Sequence, residues 1–221
     1  MCGRFALFSP AETIAEQFGL AAPPPLVARF NIAPTQPVLA IRVGSDGRPQ
    51  ATFLQWGLIP SWDKTLRLGS GMINARAETA AGKPSFRGPF RYRRCLVPAD
   101  GFYEWQKVNS RKQPYFIGRR DERPLAIAAL WELWQGADGS EIETCALLTT
   151  VANRRMQPIH ERMPVLLEPE AYALWLDTAV QKPDQLQHLL HPYPDELLRA
   201  YPVTTHVNNV RHDDPDCVQP I

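Results

Sequence analysis

Apolar and polar positions recur along the chain in short blocks, each long enough for one helix or one strand. The first block is helical. Ser9-Pro10-Ala11-Glu12 opens it, with Ser9 as the expected cap, Pro10 in the first turn and Glu12 at the capping-box position. Ile14, Ala15 and Phe18 form its apolar stripe and Gly19 ends it. A proline-rich loop follows over residues 21–37. Strands are then predicted over residues 38–43 and 51–56, joined by the Gly44-Ser45-Asp46-Gly47 turn. Residues 57–71 read as a long loop. Aromatic and aliphatic runs bounded by turn residues predict further strands over 94–97, 102–108, 115–118, 125–134 and 143–151. Helices are expected after Pro169 and Pro183, the first over 170–176 with Ala171, Leu174 and Trp175 on one face. A last strand is expected over 202–207. The pattern predicts an α+β fold in a single domain over residues 1–221. Its core would be a mostly antiparallel, curved or barrel-like β-sheet flanked by short helices.

Composition narrows the class without changing this picture. The 221 residues are 44% hydrophobic, enough for one sizeable core. No apolar run approaches the ~20 residues of a membrane-spanning helix. Met1-Cys2-Gly3-Arg4-Phe5 lacks the basic and apolar regions of a secretory signal, and Gly3 is in the wrong place for myristoylation. Cys2, Cys95, Cys145 and Cys217 are far apart with no CxxC pair, which argues against a zinc or disulfide framework and fits a reducing cytoplasm. His188 and His191, and His206, His212 and Cys217, match no recognised metal-ligand spacing, so surface roles are expected for the histidines and no metal or cofactor is expected. Phosphate-binding glycine loops, a serine nucleophile elbow and HExxH are all missing.

Charge does change the picture. Residues 1–120 carry 17 Lys+Arg against 7 Asp+Glu, a balance of +10, and residues 121–221 carry 7 against 16, a balance of −9. Such asymmetry points to a polyanionic partner. Its sharpest stretch, residues 83–94, interleaves five cations with three rings, a composition suited to single-stranded nucleic acid or, equally, to a solvated face.

Cys2 is the most informative position for chemistry. Removal of Met1 leaves an α-amine and a thiol on adjacent carbons. An α-amine of pKa about 7.7–8.0 is partly neutral at physiological pH and can attack an aldehyde. The thiol can then close a five-membered thiazolidine with an intramolecular advantage. The same residue also fits an N-terminal-nucleophile hydrolase. Asn74 offers a donor and an acceptor, although a turn or cap explains it as well. In Gly101-Phe102-Tyr103-Glu104-Trp105, alternation puts Phe102 and Glu104 on one face and Tyr103 and Trp105 on the other. A carboxylate on an apolar face suits acid–base work, and an exposed strand-edge glutamate is the plainer alternative. His160, in a loop between Pro158 and Pro164, is a candidate proton shuttle or an ordinary loop histidine.

Six segments occur in order: Met1-Cys2-Gly3-Arg4-Phe5, Phe30-Asn31-Ile32-Ala33-Pro34, Trp56-Gly57-Leu58-Ile59-Pro60-Ser61-Trp62, Asn74-Ala75-Arg76-Ala77-Glu78-Thr79, Gly101-Phe102-Tyr103-Glu104-Trp105 and His160-Glu161-Arg162-Met163-Pro164. Together they resemble the SOS-response-associated peptidase (SRAP) family. The resemblance implies a covalent cross-link that shields abasic sites in single-stranded DNA, made as a thiazolidine between Cys2 and the sugar aldehyde. It implies that Asn74 orients the Cys2 amine and the sugar, that Glu104 assists ring opening and proton transfer, and that His160 moves protons to the sugar oxygen and helps reverse the link. Arg4 and Arg76 would contact phosphates, and Pro34, Trp62, Trp105 and Thr149 would line the DNA track. Pro60-Ser61-Trp62 departs from relatives that carry two adjacent tryptophans there. The implied partner is single-stranded DNA with abasic sites, met by a cytoplasmic monomer with no membrane contact. A Cys2-dependent peptidase or self-processing hydrolase, a non-covalent reader of damaged or modified DNA, and a Schiff-base lyase are the competing readings.

Overall fold

Strand pairing that closes on itself organises the molecule. The structure, a computed structural model, describes residues 2–64 and 72–221. In chain order its elements are β1 (Phe5–Leu7), α1 (Ala11–Phe18), β2 (Arg29–Ile32), β3 (Pro37–Val43), β4 (Pro49–Trp56), β5 (Asn74–Arg76), α2 (Ala77–Ala80), α3 (Pro84–Tyr92), β6 (Arg94–Ala99), β7 (Gly101–Val108), β8 (Arg111–Arg119), β9 (Leu125–Gln135), β10 (Glu141–Val151), β11 (Arg162–Pro164), β12 (Leu166–Leu167), α4 (Pro169–Leu176) and β13 (Leu198–Pro202). Strands β10, β4, β3, β6 and β9 pair in that order, and β9 pairs again with β10, which closes a five-stranded barrel. Closure depends on the long β9, whose Leu125–Leu130 stretch pairs with β6 while Ala129–Gln135 pairs with β10. A closed sheet leaves no open edge to pair with other chains. Strand β5 extends β10 in parallel, with Asn74 opposite Leu147 and Arg76 opposite Thr149.

A second sheet, ordered β13-β8-β7-β1-β2, is antiparallel throughout. Both of its faces are buried. Phe5, Phe102 and Ile117 enter the main core, and Ala6, Tyr103 and Phe116 enter a smaller one with Val203, Val207 and Cys217. Each such aromatic or aliphatic burial contributes about 1.5–3 kcal/mol. The sheet packs so closely at Gly101 that a Cβ there would lie 2.3 Å from the Phe116 ring and 2.6 Å from the Ile117 carbonyl oxygen.

The α+β fold with its curved, barrel-like core is as the pattern predicts, and several local expectations are corrected. Helix α1 buries Ile14, Ala15 and Phe18 and ends at Gly19 in the left-handed region, but Ser9 does not cap it. The Ser9 hydroxyl and backbone N–H both bond the buried carboxylate of Asp100 instead. The proline-rich segment 21–37 contains β2. Residues 83–94 are mainly helix α3, with Phe86, Pro89 and Phe90 on its buried side. After Pro183 only single 3-10 turns form, Pro183–Gln185 and Gln187–Leu189, with the break between them at Leu186. The last strand lies earlier than expected, at Leu198–Pro202, and Thr205–Asn208 is a 3-10 turn. Its register with β8 runs to Pro202 opposite Tyr115, and the Val203 N–H then donates to the Pro114 carbonyl at 3.0 Å. Of the predicted loop 57–71, Leu58 bridges to Met72, and residues 65–71 lie outside the described residues.

Candidate active site

The N-terminus is built into the second sheet. β1 runs between β2 and β7, and the Tyr103 N–H donates to the Arg4 carbonyl at 2.9 Å. This fixes the chain up to Cys2, which is fully buried in the main core. The Cys2 thiol points to the Arg4 carbonyl at 3.8 Å. Asn74 Nδ2 donates to the Cys2 carbonyl at 2.8 Å. Asn74 itself is placed by the β5–β10 register and by Trp56, whose indole N–H donates to the Ile73 carbonyl at 2.9 Å. Its Oδ1 is buried and accepts no hydrogen bond from the described residues, so an acceptor stands open beside Cys2.

Glu104 lies on β7 opposite Tyr115 and is only 3% exposed. It shares the Phe102 face of the strand. Burial, and next the negative charge of Glu104, push the Cys2 thiol far above its usual range. The thiol is therefore held as S–H at neutral pH. His160 precedes β11, and its Nδ1 accepts the Arg162 N–H at 3.0 Å. The same Nδ1 lies 3.3 Å from the Arg162 carbonyl. Glu104, Trp105, Lys112, His160 and Asn208 line one open cleft of about 440 Å³. A larger cleft of about 820 Å³, along the β7–β8 hairpin and Thr205, shares Lys112 and Asn208 with it.

The structure thus brings Cys2, Asn74, Glu104 and His160 into one neighbourhood. It also shows supporting residues to which the sequence reading assigned no role. Arg162 makes a bidentate pair with Glu78 at 2.6 and 2.9 Å and donates to the Thr149 carbonyl at 2.6 Å. That clamp ties the helix following Asn74 to the strand following His160. The Arg162 guanidinium holds the Glu78 carboxyl below its usual range. Asn31, fully buried on β2, accepts from Arg4 Nη1 at 2.7 Å and donates to the carbonyls of Val207, Asn209 and His212. Arg162, Glu78 and Asn31 sit in the quoted motifs, but only the fold reveals which groups they join.

The proposed DNA-contact positions divide. Arg4 is half-buried. Its Nη1 serves Asn31 and the Val207 carbonyl, and its guanidinium lies 5.7 Å from the centre of the Trp105 ring. Trp105 lines the cleft, with its N–H on Asn208 Oδ1 at 2.7 Å. Arg76 is exposed. Trp62 is 64% exposed on a braced loop: Ser61 Oγ donates to Glu132 at 3.3 Å and the Trp134 indole donates to the Asp63 carbonyl at 2.6 Å. Pro34 is half-buried in a turn where Thr35 takes φ +71°, an unfavourable conformation for a β-branched residue, held by its N–H on the Trp56 carbonyl at 2.8 Å. Thr149 is fully buried beside β5, and its hydroxyl accepts from Arg162 Nη2 at 3.3 Å. In the basic stretch 83–94, Lys83, Arg87, Arg91 and Tyr92 are exposed, Phe86 and Phe90 are buried, and Arg94 donates to the carbonyls of Trp175, Phe90, Arg91 and Asp177.

Cys2, buried in the main core and within reach of the charge of the buried Glu104, marks the class together with the closed barrel and the second sheet. The sequence matches the SOS response associated peptidase (SRAP) family over residues 1–210, and the chain belongs to that family. Among its relatives, the abasic site processing protein YoqW of Bacillus subtilis (strain 168) is 40% identical over 223 residues, covering 99% of both chains. YedK of Escherichia coli (strain K12), also named an abasic site processing protein, is 31% identical over 229 residues and the whole of both chains. HMCES of Gallus gallus, of the same name, is 35% identical over 192 residues, which are 76% of this chain and 56% of that protein. A crystal structure of a Bacteroides thetaiotaomicron protein superposes over the full length of both chains with a TM-score of 0.89 at 27% identity. No helix among the described residues is long and apolar enough to cross a membrane.

Proposed function

We propose that this protein is an abasic site processing protein that captures the damaged sugar in single-stranded DNA through Cys2, acting as a monomer. One observation carries the reading: Asn74 grips the Cys2 carbonyl, and Glu104, whose charge bears on the Cys2 thiol, shares a cleft wall with His160. With Met1 removed, the Cys2 α-amine adds to the C1′ aldehyde of the ring-opened sugar. Loss of water gives an imine. The thiol sulfur then bonds C1′ as its proton passes, by way of a base, to the imine nitrogen, which becomes the ring amine of a thiazolidine. Because the thiol is held protonated, amine attack comes first and ring closure needs a nearby base. Glu104 fills that role and also assists sugar opening. His160 exchanges protons with the sugar oxygen, forward and in reverse. The open acceptor of Asn74 orients the amine or a sugar hydroxyl. Exposed Arg76 and Lys112 meet phosphates, Trp62 and Trp105 offer rings to bases, Pro34 borders the path, and Arg4 acts through Trp105 and Asn31.

The test is a denaturing gel of Met1-processed protein with a single-stranded oligonucleotide bearing one abasic site. A heat-stable shifted band that requires both the abasic site and Cys2 is expected. Absence of that band from folded, processed protein would refute capture and return the Cys2-dependent hydrolase to first place.

A further inference from the structure

Behind the cleft, two short turns near the C-terminus bring together three kinds of metal-binding side chain. His206 lies in the Thr205–Asn208 turn, Asp214 caps the Pro215–Val218 turn, and Cys217 lies within it. One ligand atom from each lies within 4.8 Å of the others. His206 Nε2 sits 3.1 and 3.0 Å from the two Asp214 oxygens. The His206 ring is stacked on His212 at 3.9 Å, which fixes its plane. Cys217 is fully buried, while the His206 and Asp214 side chains are 31% and 46% exposed, so the trio has a closed inner side and an outer side open to water.

From this geometry we propose a binding site for a divalent transition ion of the zinc type, held by His206, Asp214 and Cys217 with water in the fourth position. Imidazole nitrogen, carboxylate oxygen and thiolate sulfur together form a borderline donor set, one that zinc accepts and that magnesium or calcium does not favour. Metal–ligand bonds of about 2.0–2.3 Å require neighbouring ligand atoms to stand roughly 3.3–3.8 Å apart, so the trio has to close by only about 1 Å. Coordination replaces the Cys217 S–H bond with a sulfur–metal bond, and the proton leaves to solvent.

The location gives the site a consequence. Val207, next to His206, offers its carbonyl to Arg4 and Asn31, and Asn208 holds the Trp105 indole. Asp213, next to Asp214, accepts the backbone N–H groups of Phe30 and Asn31 at 2.5 and 2.9 Å. An ion joining the two turns would stiffen the strap that supports Arg4, Asn31 and Trp105. The ion would take no part in the chemistry of Cys2.

The test uses full-length protein stripped with a chelator and titrated with Co²⁺, in a Cys2→Ala background so that an N-terminal aminothiol cannot chelate. Expected are one Co²⁺ per chain, a thiolate-to-cobalt charge-transfer band, visible bands of a four-coordinate ion, displacement by Zn²⁺ and a raised thermal midpoint with Zn²⁺. Adding Cys217→Ser should abolish the charge-transfer band, and adding His206→Ala, at a half-exposed position, should weaken binding at least tenfold. No charge-transfer band in folded parent protein, or the same band after Cys217→Ser, overturns the proposal. DNA capture is not read in this experiment, so its result is independent of the function proposed above.

Discussion

Helix α3 and strand β7 each combine charged side chains with aromatic rings, and the fold uses the two differently. In α3, Phe86 and Phe90 turn inward one helical turn apart, while Lys83, Arg87 and Arg91 face solvent. This is ordinary amphipathic packing, with one apolar stripe and one solvated face. In β7 both faces are covered, so Phe102 and Tyr103 enter opposite cores and Glu104 is enclosed as well. Enclosing a carboxylate costs several kcal/mol unless its surroundings compensate. An exposed arginine needs no explanation of that kind. The buried carboxylate near Cys2 is therefore the stronger functional signal, although the arginine-rich stretch is the more conspicuous one in the sequence.

The largest effects should separate the two elements completely. Cys2→Ala should abolish the heat-stable adduct on the gel, and as a small truncation in the core should lower the thermal midpoint only modestly, leaving the protein folded. Glu104→Gln should slow adduct formation by about 10²–10⁴-fold in a quenched time course. A Glu104→Gln rate within twofold of the parent would remove the carboxylate from the chemistry. In contrast, Arg94→Ala, at the start of β6 just after α3, leaves the carbonyls of Phe90 and Arg91 in α3, among others, without their charged donor and should destabilise the fold by about 3 kcal/mol or more in a urea titration. The folded fraction should still capture DNA at the parent rate. If Arg94→Ala instead impaired capture without loss of stability, α3 would belong to the site after all.

A smaller effect is expected from pH. The raised pKa of the Cys2 thiol means that it binds its proton throughout the neutral range, so no thiolate titration falls between pH 6 and 9. The adduct rate should instead follow deprotonation of the α-amine, near pH 8 and pushed upward by the negative charge of Glu104. It should rise from pH 6 and level off above that point. A continued tenfold rise per pH unit past 9 would assign the rate to thiolate attack. In Glu104→Gln the midpoint should move to lower pH, because the charge that favours the protonated amine is gone.

How much of this was legible in the sequence depended on element length and on the distance between partners. The long strands β9 and β10 and the hairpin β3–β4 were readable because their patterns run for several residues. Strands β1, β2 and β5 have only three or four residues, too few for a period to show, yet they place Cys2, Asn31 and Asn74. Helix α3 was hidden by Pro84, Gly88 and Pro89, which read as loop although Pro84 suits a first turn and Pro89 has its ring against the core. Cys2, Asn74, Glu104 and His160 were accessible through their motifs. The Glu78–Arg162 clamp was not, because its members lie on segments that meet only in the fold.

The smallest effect, and the most discriminating one for the DNA path, should come from salt. Each phosphate contact with a single strand contributes about 0.7 to the slope of log affinity against log salt concentration. Arg76, exposed beside Asn74, should carry one such contact, and Arg87 and Arg91 on α3 should carry none. Binding of an undamaged single-stranded oligonucleotide, followed by fluorescence anisotropy over a range of salt, should lose about 0.7 of slope with Arg76→Ala. The double substitution Arg87→Ala with Arg91→Ala should leave the slope as it was. Removing two distant cations also lowers the general positive potential, but that shifts affinity at low salt more than it alters the slope. A slope reduced by the α3 pair and unchanged by Arg76→Ala would mean that the strand runs across the helix and away from the cleft, and the contrast between α3 and β7 would have to be reversed for binding even if it held for chemistry.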